Sequence, residues 1–235
     1  MKIGIIGAGA IGSTLARDLV KLGYEVCVAN SRGPESLTEI AAATGATAVG
    51  IADVVKRAQL VVVSIPEFAI AELPQNLFAR ADENVVVIDT GNYYPDVRDG
   101  RIPALDAGAI ESQWVSEQLG RPVVKAFNNI VAASLRDKGV PAGTPGRLAL
   151  PVAGDRPESK AIVMDLVDRL GFDAINGGAL GESWRQQPGT PSYCHDLDAH
   201  AMKRALADAR PERLAQYREE SLARAKAVLA ARAKA

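Results

Sequence analysis

Short β-branched runs alternate with helical spacings from the first residues onward. The runs cover Lys2–Ile6, Glu25–Ala29, Leu60–Ile65, Asn84–Asp89, Pro122–Ala126 and Leu148–Ala153, with weaker ones at Thr44–Val49 and Phe172–Ile175. Val61–Val63 and Val85–Val87 are apolar at every position, as in strands covered on both faces of a parallel sheet. After the first run, Leu15, Leu19 and Leu22 recur on one helical face. Pro34 opens and Gly45 closes a second helical stretch. Pro157 and Gly171 bracket a third, which carries Ile162, Val163, Leu166, Val167 and Leu170. Repeated strand–helix–strand units of this length impose right-handed crossovers and predict a doubly wound, mostly parallel α/β sheet.

The pattern changes near residue 181. Gly181–Asp198 is rich in Pro, Gly, Gln and Ser and reads as an ordered loop or lid, and no glycine follows Gly189. Residues 1–180 are therefore expected to form the sheet domain, and 181–235 a loop plus a C-terminal helical extension. From Pro211 onward Leu214, Tyr217, Leu222, Ala225, Val228 and Leu229 make one stripe, with Glu219, Glu220, Arg224, Lys226, Arg232 and Lys234 on other faces. Such a stripe needs apolar cover, from its own subunit or from a partner. The expectation is a homodimer.

Composition narrows the class. A net charge of −1 lacks the positive excess that nucleic acid or an anionic membrane surface demands. No apolar run approaches the roughly 18 residues of a membrane span. The chain opens directly into a strand-like run without a secretory leader, and it has only two cysteines, so a reducing cytoplasm is expected. Two histidines make a histidine-rich metal site unexpected, and none is assigned.

Gly7-Ala8-Gly9-Ala10-Ile11-Gly12 fits G-x-G-x-x-G between a strand and a helix, the context in which that pattern binds a dinucleotide. Gly7 permits the tight turn, Gly9 lets backbone reach the pyrophosphate, and Gly12 lets helix and strand pack closely. The pyrophosphate then meets the unsatisfied N–H groups of the helix N-terminus. The second run ends Asn30-Ser31-Arg32, where an NAD-preferring site carries an acid for the ribose hydroxyls. An amide, a hydroxyl and a guanidinium suit a 2′-phosphate instead, which points to NADP(H).

With these residues placed, the sequence resembles the NADPH-dependent F420 reductases (F420H2:NADP oxidoreductases) and, more loosely, is similar to the NADPH-binding domains of membrane metalloreductases. The resemblance covers about residues 1–180. It rests on Gly7–Gly12, Asn30–Arg32, Val63-Ser64-Ile65-Pro66, Val124-Lys125-Ala126-Phe127-Asn128-Asn129 and Leu150–Asp155. It implies an NADP-binding Rossmann fold, NADPH lying across the carboxyl ends of the strands, and direct hydride transfer to a deazaflavin (coenzyme F420) or a flavin. It places Ser31 and Arg32 on the 2′-phosphate, Ile65 and Pro66 beside the nicotinamide, and Asn128 near the nicotinamide or the acceptor. Trp184-Arg185-Gln186-Gln187 and the helix beyond depart from that family, so the acceptor, a small molecule, is less well defined than the cofactor.

Other polar residues give open alternatives. Asp89-Thr90-Gly91-Asn92-Tyr93-Tyr94 follows an apolar strand at the edge where such sheets bind ligands, so Thr90 and Gly91 join the cofactor-binding set with Ser64. Tyr93 and Tyr94 either stack on a planar ring or pack under the next loop. Asn128, Lys125 and His195 are the catalytic candidates, although a strand-edge lysine such as Lys125 is more often paired or solvated than catalytic. Asp96, Arg98, Asp99 and Arg101 read as a solvated loop. Arg185 either clamps an acceptor anion or forms a salt bridge. Cys194-His195-Asp196 is too compact in sequence for a nucleophilic triad, and Asp196, Asp198 and His200 are a weak imitation of a metal site. Two functional alternatives remain beside the F420-type reductase. One is an NADPH-dependent reductase of a small carbonyl or imine. The other is a non-catalytic NADP(H)-binding sensor.

Overall fold

The computed structural model describes residues 1–232; residues 233–235, which include Lys234 of the expected polar faces, lie outside the described residues. The strands are β1 (Lys2–Ile6), β2 (Glu25–Ala29), β3 (Thr47–Ala48), β4 (Leu60–Val63), β5 (Val86–Asp89), β6 (Val124–Lys125), β7 (Ala149–Val152) and β8 (Asp173–Asn176). The first six form one sheet in the order β3-β2-β1-β4-β5-β6, every pair parallel. β7 and β8 form a parallel pair that joins β6 through an antiparallel bridge, in which the Lys125 and Ala153 N–H groups each donate to the other's carbonyl. The strand order reverses between β1 and β4, which opens a crevice at their carboxyl ends.

The apolar runs bury both faces of this sheet, as their composition requires. Ile3, Ile5, Val26, Val28, Leu60, Val62, Val86 and Ile88 face one layer, and Ile6, Ala29, Val61, Val63 and Val87 the other. The longer helices are α1 (Ala10–Lys21), α2 (Thr38–Thr44), α3 (Glu111–Leu119), α4 (Ala132–Asp137), α5 (Pro157–Arg169), α6 (Ala199–Asp208) and α7 (Leu214–Arg232). Leu15, Ala16 and Leu19 of α1 cover the first face, whereas Trp114, Val115 and Leu119 of α3 cover the second. Leu22 ends α1 rather than extending its buried stripe.

Several observed strands are shorter than the runs that announced them. β4 stops at Val63: Ser64 still donates its N–H to the Ile6 carbonyl, but the chain then turns at Pro66, which has no N–H to give. β6 is only two residues long, since Phe127 takes φ +61° and swings the chain out of the sheet. Thr44 belongs to α2, which leaves only Thr47–Ala48 in β3.

The segment after residue 180 is packed rather than lid-like. A 3-10 turn covers Leu180–Gln186, and Ser183, Trp184, Gln186, Gln187, Thr190 and Ser192 are buried. α6 lays Met202 and Leu206 on Ala149 of β7 and Ile175 of β8. The stripe of α7 finds part of its cover within the chain. Tyr217 is buried, and Leu214, Leu222 and Ala225 are half-buried. A Cβ at Gly189 would collide with the Tyr217 carbonyl, and Arg218 lies 5.4 Å over the Tyr93 ring. Val228 and Leu229, further along, are 52% and 50% exposed.

Candidate functional site: a dinucleotide cleft above a buried charge cluster

The three motif glycines have separate structural reasons. Gly7 adopts φ +106°, open to glycine at little cost, and a Cβ there would strike Ser64 backbone at the end of β4. A Cβ at Gly12 would strike the Gly7 carbonyl, so α1 closes directly on the turn. A Cβ at Gly9 would meet no other part of the chain within 4 Å. The space over Gly9 is therefore open. α1 begins there with no side-chain cap and no acid in its first turn, so the N–H groups of Ala10, Ile11 and Gly12 give that space a positive end.

A cleft of about 660 Å³ runs from this turn along the crevice. Gly7, Ala8, Gly9, Asn30, Ser31, Arg32, Ser64, Ile65 and Pro66 all line it, which brings together residues from the ends of β1, β2 and β4. Phe68, Ala69, Leu73 and Pro74 add an apolar wall, with Phe68 exposed at its rim. The sequence pattern did not single out this wall, because it follows β4 in short turns without helical periodicity.

Asn30 shapes the β2 loop rather than facing outward. Its Oδ1 accepts the Arg32 N–H at 2.9 Å, and its Nδ2 donates to Ser36 Oγ at 2.9 Å. Ser36 donates in turn to the Gly33 carbonyl. This closed turn presents Ser31 and Arg32 as exposed side chains, and Arg32 has no carboxylate partner among the described residues. The cleft residues thus offer an open glycine, a helix N-terminus and an unpaired guanidinium, a donor set that fits a dinucleotide carrying an extra phosphate.

The second half of the predicted site, Thr90, Gly91, Lys125 and Asn128, is not among the residues that line the cleft. Thr90 Oγ1 donates back to the Val63 carbonyl, and the Gly91 N–H donates to Asp89 Oδ1 at 2.7 Å. Lys125 is fully buried, with Nζ donating to Asp89 Oδ2 at 2.9 Å and to the Gly91 carbonyl at 2.7 Å. Its ammonium therefore holds β5 and β6 together and does not open into the cleft. Ser112 donates to Asp89 as well, at 2.7 Å. Two more acids adjoin this cluster. Glu111 accepts the Tyr93 N–H at 3.3 Å, and burial pushes its carboxyl up to about 7. Glu67 is fully buried, and neither oxygen has a hydrogen-bond partner among the described residues. Burial first, and the neighbouring Asp89 second, hold its carboxyl well above the usual carboxylate range. Neither acid was marked in sequence, since each opens a helical turn where an exposed carboxylate is ordinary.

Asn128 sits in a closed set of amides. Its Nδ2 donates to Asn92 Oδ1 at 3.0 Å and to the Gln186 carbonyl at 2.7 Å, while Gln186 Nε2 donates to Asn128 Oδ1 at 3.0 Å. Gln186 closes this set from the segment after residue 180, and the adjacent Gln187 is buried with its Nε2 unpartnered.

The remaining candidates are placed apart from the cleft. Tyr93 is fully buried and hydrogen-bonds Asp106, so its ring packs under the loop. Tyr94 and Tyr193 share a 2.8 Å hydroxyl contact, and Tyr94 also meets Ser221 of α7. His195 is exposed. Burial pushes the Cys194 thiol up to about 11, so it is not a thiolate at neutral pH. Asp196 is engaged by Lys138 and Ser134, and Asp198 caps α6. Arg185 pairs with Glu182 at 2.6 Å and stacks 4.5 Å over Trp184. The expected solvated loop is partly wrong: Asp99 is buried, accepting the Tyr94 N–H and pairing with Arg98.

Fold and cleft together define a dinucleotide-binding α/β protein. A family model described as NADP oxidoreductase coenzyme F420-dependent matches residues 2–93. In structure, the hypothetical protein SMa0349 of Sinorhizobium meliloti aligns over 84% of this chain and 95% of its own, at 30% identity and TM-score 0.71. A candidate F420-dependent NADP-reductase from Arthrobacter sp. FB24 aligns over 77% and 86%, at 27% identity and TM-score 0.60. In sequence, protein YjhV of Escherichia coli K12 is 51% identical over 71 residues, 30% of this chain and 52% of that protein. The match thus spans about half the length of this curated relative. The chain belongs to the family of coenzyme F420-dependent NADP oxidoreductases.

Proposed function

We propose that the protein binds NADPH in the cleft and transfers hydride between its nicotinamide and a flavin-like or deazaflavin acceptor such as coenzyme F420. The observation that carries this reading is the open space over Gly9, which shares one cleft with the N-terminus of α1 and the acid-free Ser31–Arg32 turn. Family membership supports the same cofactor and chemistry.

Each part of the chain has a role in this reading. The first-turn N–H groups of α1 hold the pyrophosphate, and Ser31 and Arg32 hold the 2′-phosphate on a turn fixed by Asn30. Ile65 and Pro66 give the nicotinamide an apolar floor that excludes water. The bound cofactor supplies the hydride, and the protein supplies position and charge. A carbonyl acceptor needs a proton donor within about 3 Å of its oxygen. Lys125 is buried, Tyr193 is paired with Tyr94, and His195 lies exposed on the loop beyond. A conjugated ring, which spreads the incoming charge, makes a weaker demand for such a donor.

The test is a panel of acceptors mixed with protein and NADPH, followed at the nicotinamide absorbance band. Turnover with F420 or a flavin is expected. Turnover confined to carbonyls or imines would move the protein to that reductase class, and tight NADPH binding without turnover on any acceptor would make it a sensor.

A further inference from the structure

Glu67 directly follows Pro66, which lines the cleft, and is itself fully buried. A Cβ on Gly91 would collide with Glu67 Oε1 and lie 3.0 Å from Asp89 Oδ1, so the two carboxyls flank Gly91. Asp89 is satisfied by Lys125, Ser112 and the Gly91 N–H, whereas Glu67 has no donor among the described residues. The charged groups that face Glu67 are Asp89 from β5, Lys125 from β6, Glu111 from α3 and Asp99 from the turn after Tyr94. Three are acids, and the single cation already serves Asp89. Arg218 of α7 comes to 4.0 Å of Glu111, on the outer side of the cluster. A carboxylate buried without a donor in such company is strongly disfavoured, so Glu67 carries a proton at rest.

One additional positive charge close by is what would let that proton leave. The cleft proposed above supplies one, because the nicotinamide ring is neutral when reduced and cationic when oxidised. We propose that Glu67 is a charge-compensating residue of the nicotinamide site, protonated when NADPH is bound and ionised when NADP⁺ is bound. The inference rests on the dinucleotide reading. Its balance is simple: the protonated protein and NADP⁺ give the complex with Glu67 as carboxylate and one proton in solvent, and no electrons move. Glu67 thus acts by charge and position and need not touch the reacting atoms.

The experiment is proton release on binding. Wild-type protein and Glu67→Gln are titrated with NADP⁺ and with NADPH in weakly buffered solution near neutral pH, using an indicator dye. Both nucleotides carry the 2′-phosphate, so its own protonation cancels in the difference between them. Wild type is expected to release more proton with NADP⁺ than with NADPH, and NADP⁺ affinity to rise with pH. In Glu67→Gln, which keeps the shape of the neutral acid, both nucleotides bind and the difference disappears. Affinity for NADP⁺ then falls by roughly tenfold relative to NADPH, equivalent to one pKa unit of coupling. Equal proton counts for the two nucleotides in wild type would overturn the proposal, as would an NADP⁺-specific release that survives in Glu67→Gln. Failure of either nucleotide to bind wild type would instead overturn the dinucleotide reading beneath it.

Discussion

Lys125 Nζ and Asp89 Oδ2 meet at 2.9 Å from directly paired positions on β6 and β5, and neither side chain reaches solvent. Removing one partner of a buried pair strands the other charge, typically at about 3–5 kcal/mol. Lys125→Met is therefore expected to lower the unfolding free energy by about that much, read from a denaturant titration. Turnover per folded molecule should stay within about tenfold, since a general acid–base group usually contributes 10²–10⁴. A fully stable Lys125→Met protein without turnover would return the lysine to chemistry.

Gly9 and Gly12 should separate binding from folding. Gly9→Ala points a methyl into the open space over the helix N-terminus, so the protein should melt near the wild-type temperature while losing nucleotide affinity. Gly12→Ala drives a methyl into the Gly7 carbonyl and should destabilise the fold itself. Melting curves with and without nucleotide distinguish the two. Equal destabilisation by both would remove the argument for a pyrophosphate at Gly9.

Arg32 sets nucleotide choice. A hydrogen bond to a charged group contributes about 1.5–3 kcal/mol, so Arg32→Ala should weaken NADPH by about 10- to 100-fold and leave NADH nearly unchanged. Asn30→Ala, which releases the turn, should also weaken NADPH although its side chain is turned to Arg32 N–H and Ser36. Isothermal titration with both nucleotides checks this. Equal losses for NADPH and NADH in Arg32→Ala would show that the residue supports the loop rather than the phosphate.

Much of this arrangement is written locally in the chain. The β-branched runs place the strands, and the glycine spacing between β1 and α1 places the turn. The charge cluster is not local. A glutamate after Pro66 reads as an ordinary first-turn acid, and it is the approach of Gly91, α3 and the Pro95–Asp99 turn that buries it. The amide set joins Asn92 to Asn128 across 36 positions and Asn128 to Gln186 across 58, which no periodicity reports. The stripe on α7 was visible, but its cover was not. Tyr217 packs on the backbone at Gly189 because a glycine happens to leave room there.

The buried acids predict how stability varies with pH. Glu111 is pushed by burial to about 7 in the folded protein against an ordinary 4.5, and burial also holds Glu67 well above the ordinary carboxylate range. Between those values the folded state keeps protons that the unfolded chain gives up. Stability should therefore decline as pH rises from 4.5 through 7, by on the order of 3 kcal/mol for Glu111, and the raised Glu67 carboxyl adds to the decline in the same direction. Denaturant titrations at pH 5 and pH 8 should show the lower stability at pH 8. Glu67→Gln should reduce the difference. Stability that is flat or rises over this range would mean that these carboxyls ionise freely.

Direct hydride transfer is tested most plainly by label. NADPH carrying deuterium at the transferred position of C4 is incubated with the protein and F420, and in parallel with flavin, carbonyl and imine acceptors. The account predicts that F420 or a flavin is reduced while labelled NADPH is consumed, with a slower rate than for unlabelled NADPH where hydride transfer limits turnover. In reduced F420 the deuterium should be retained on the ring carbon that accepts hydride. Deuterium found only in a carbonyl or imine product, or NADPH bound and left unoxidised by every acceptor, would contradict it.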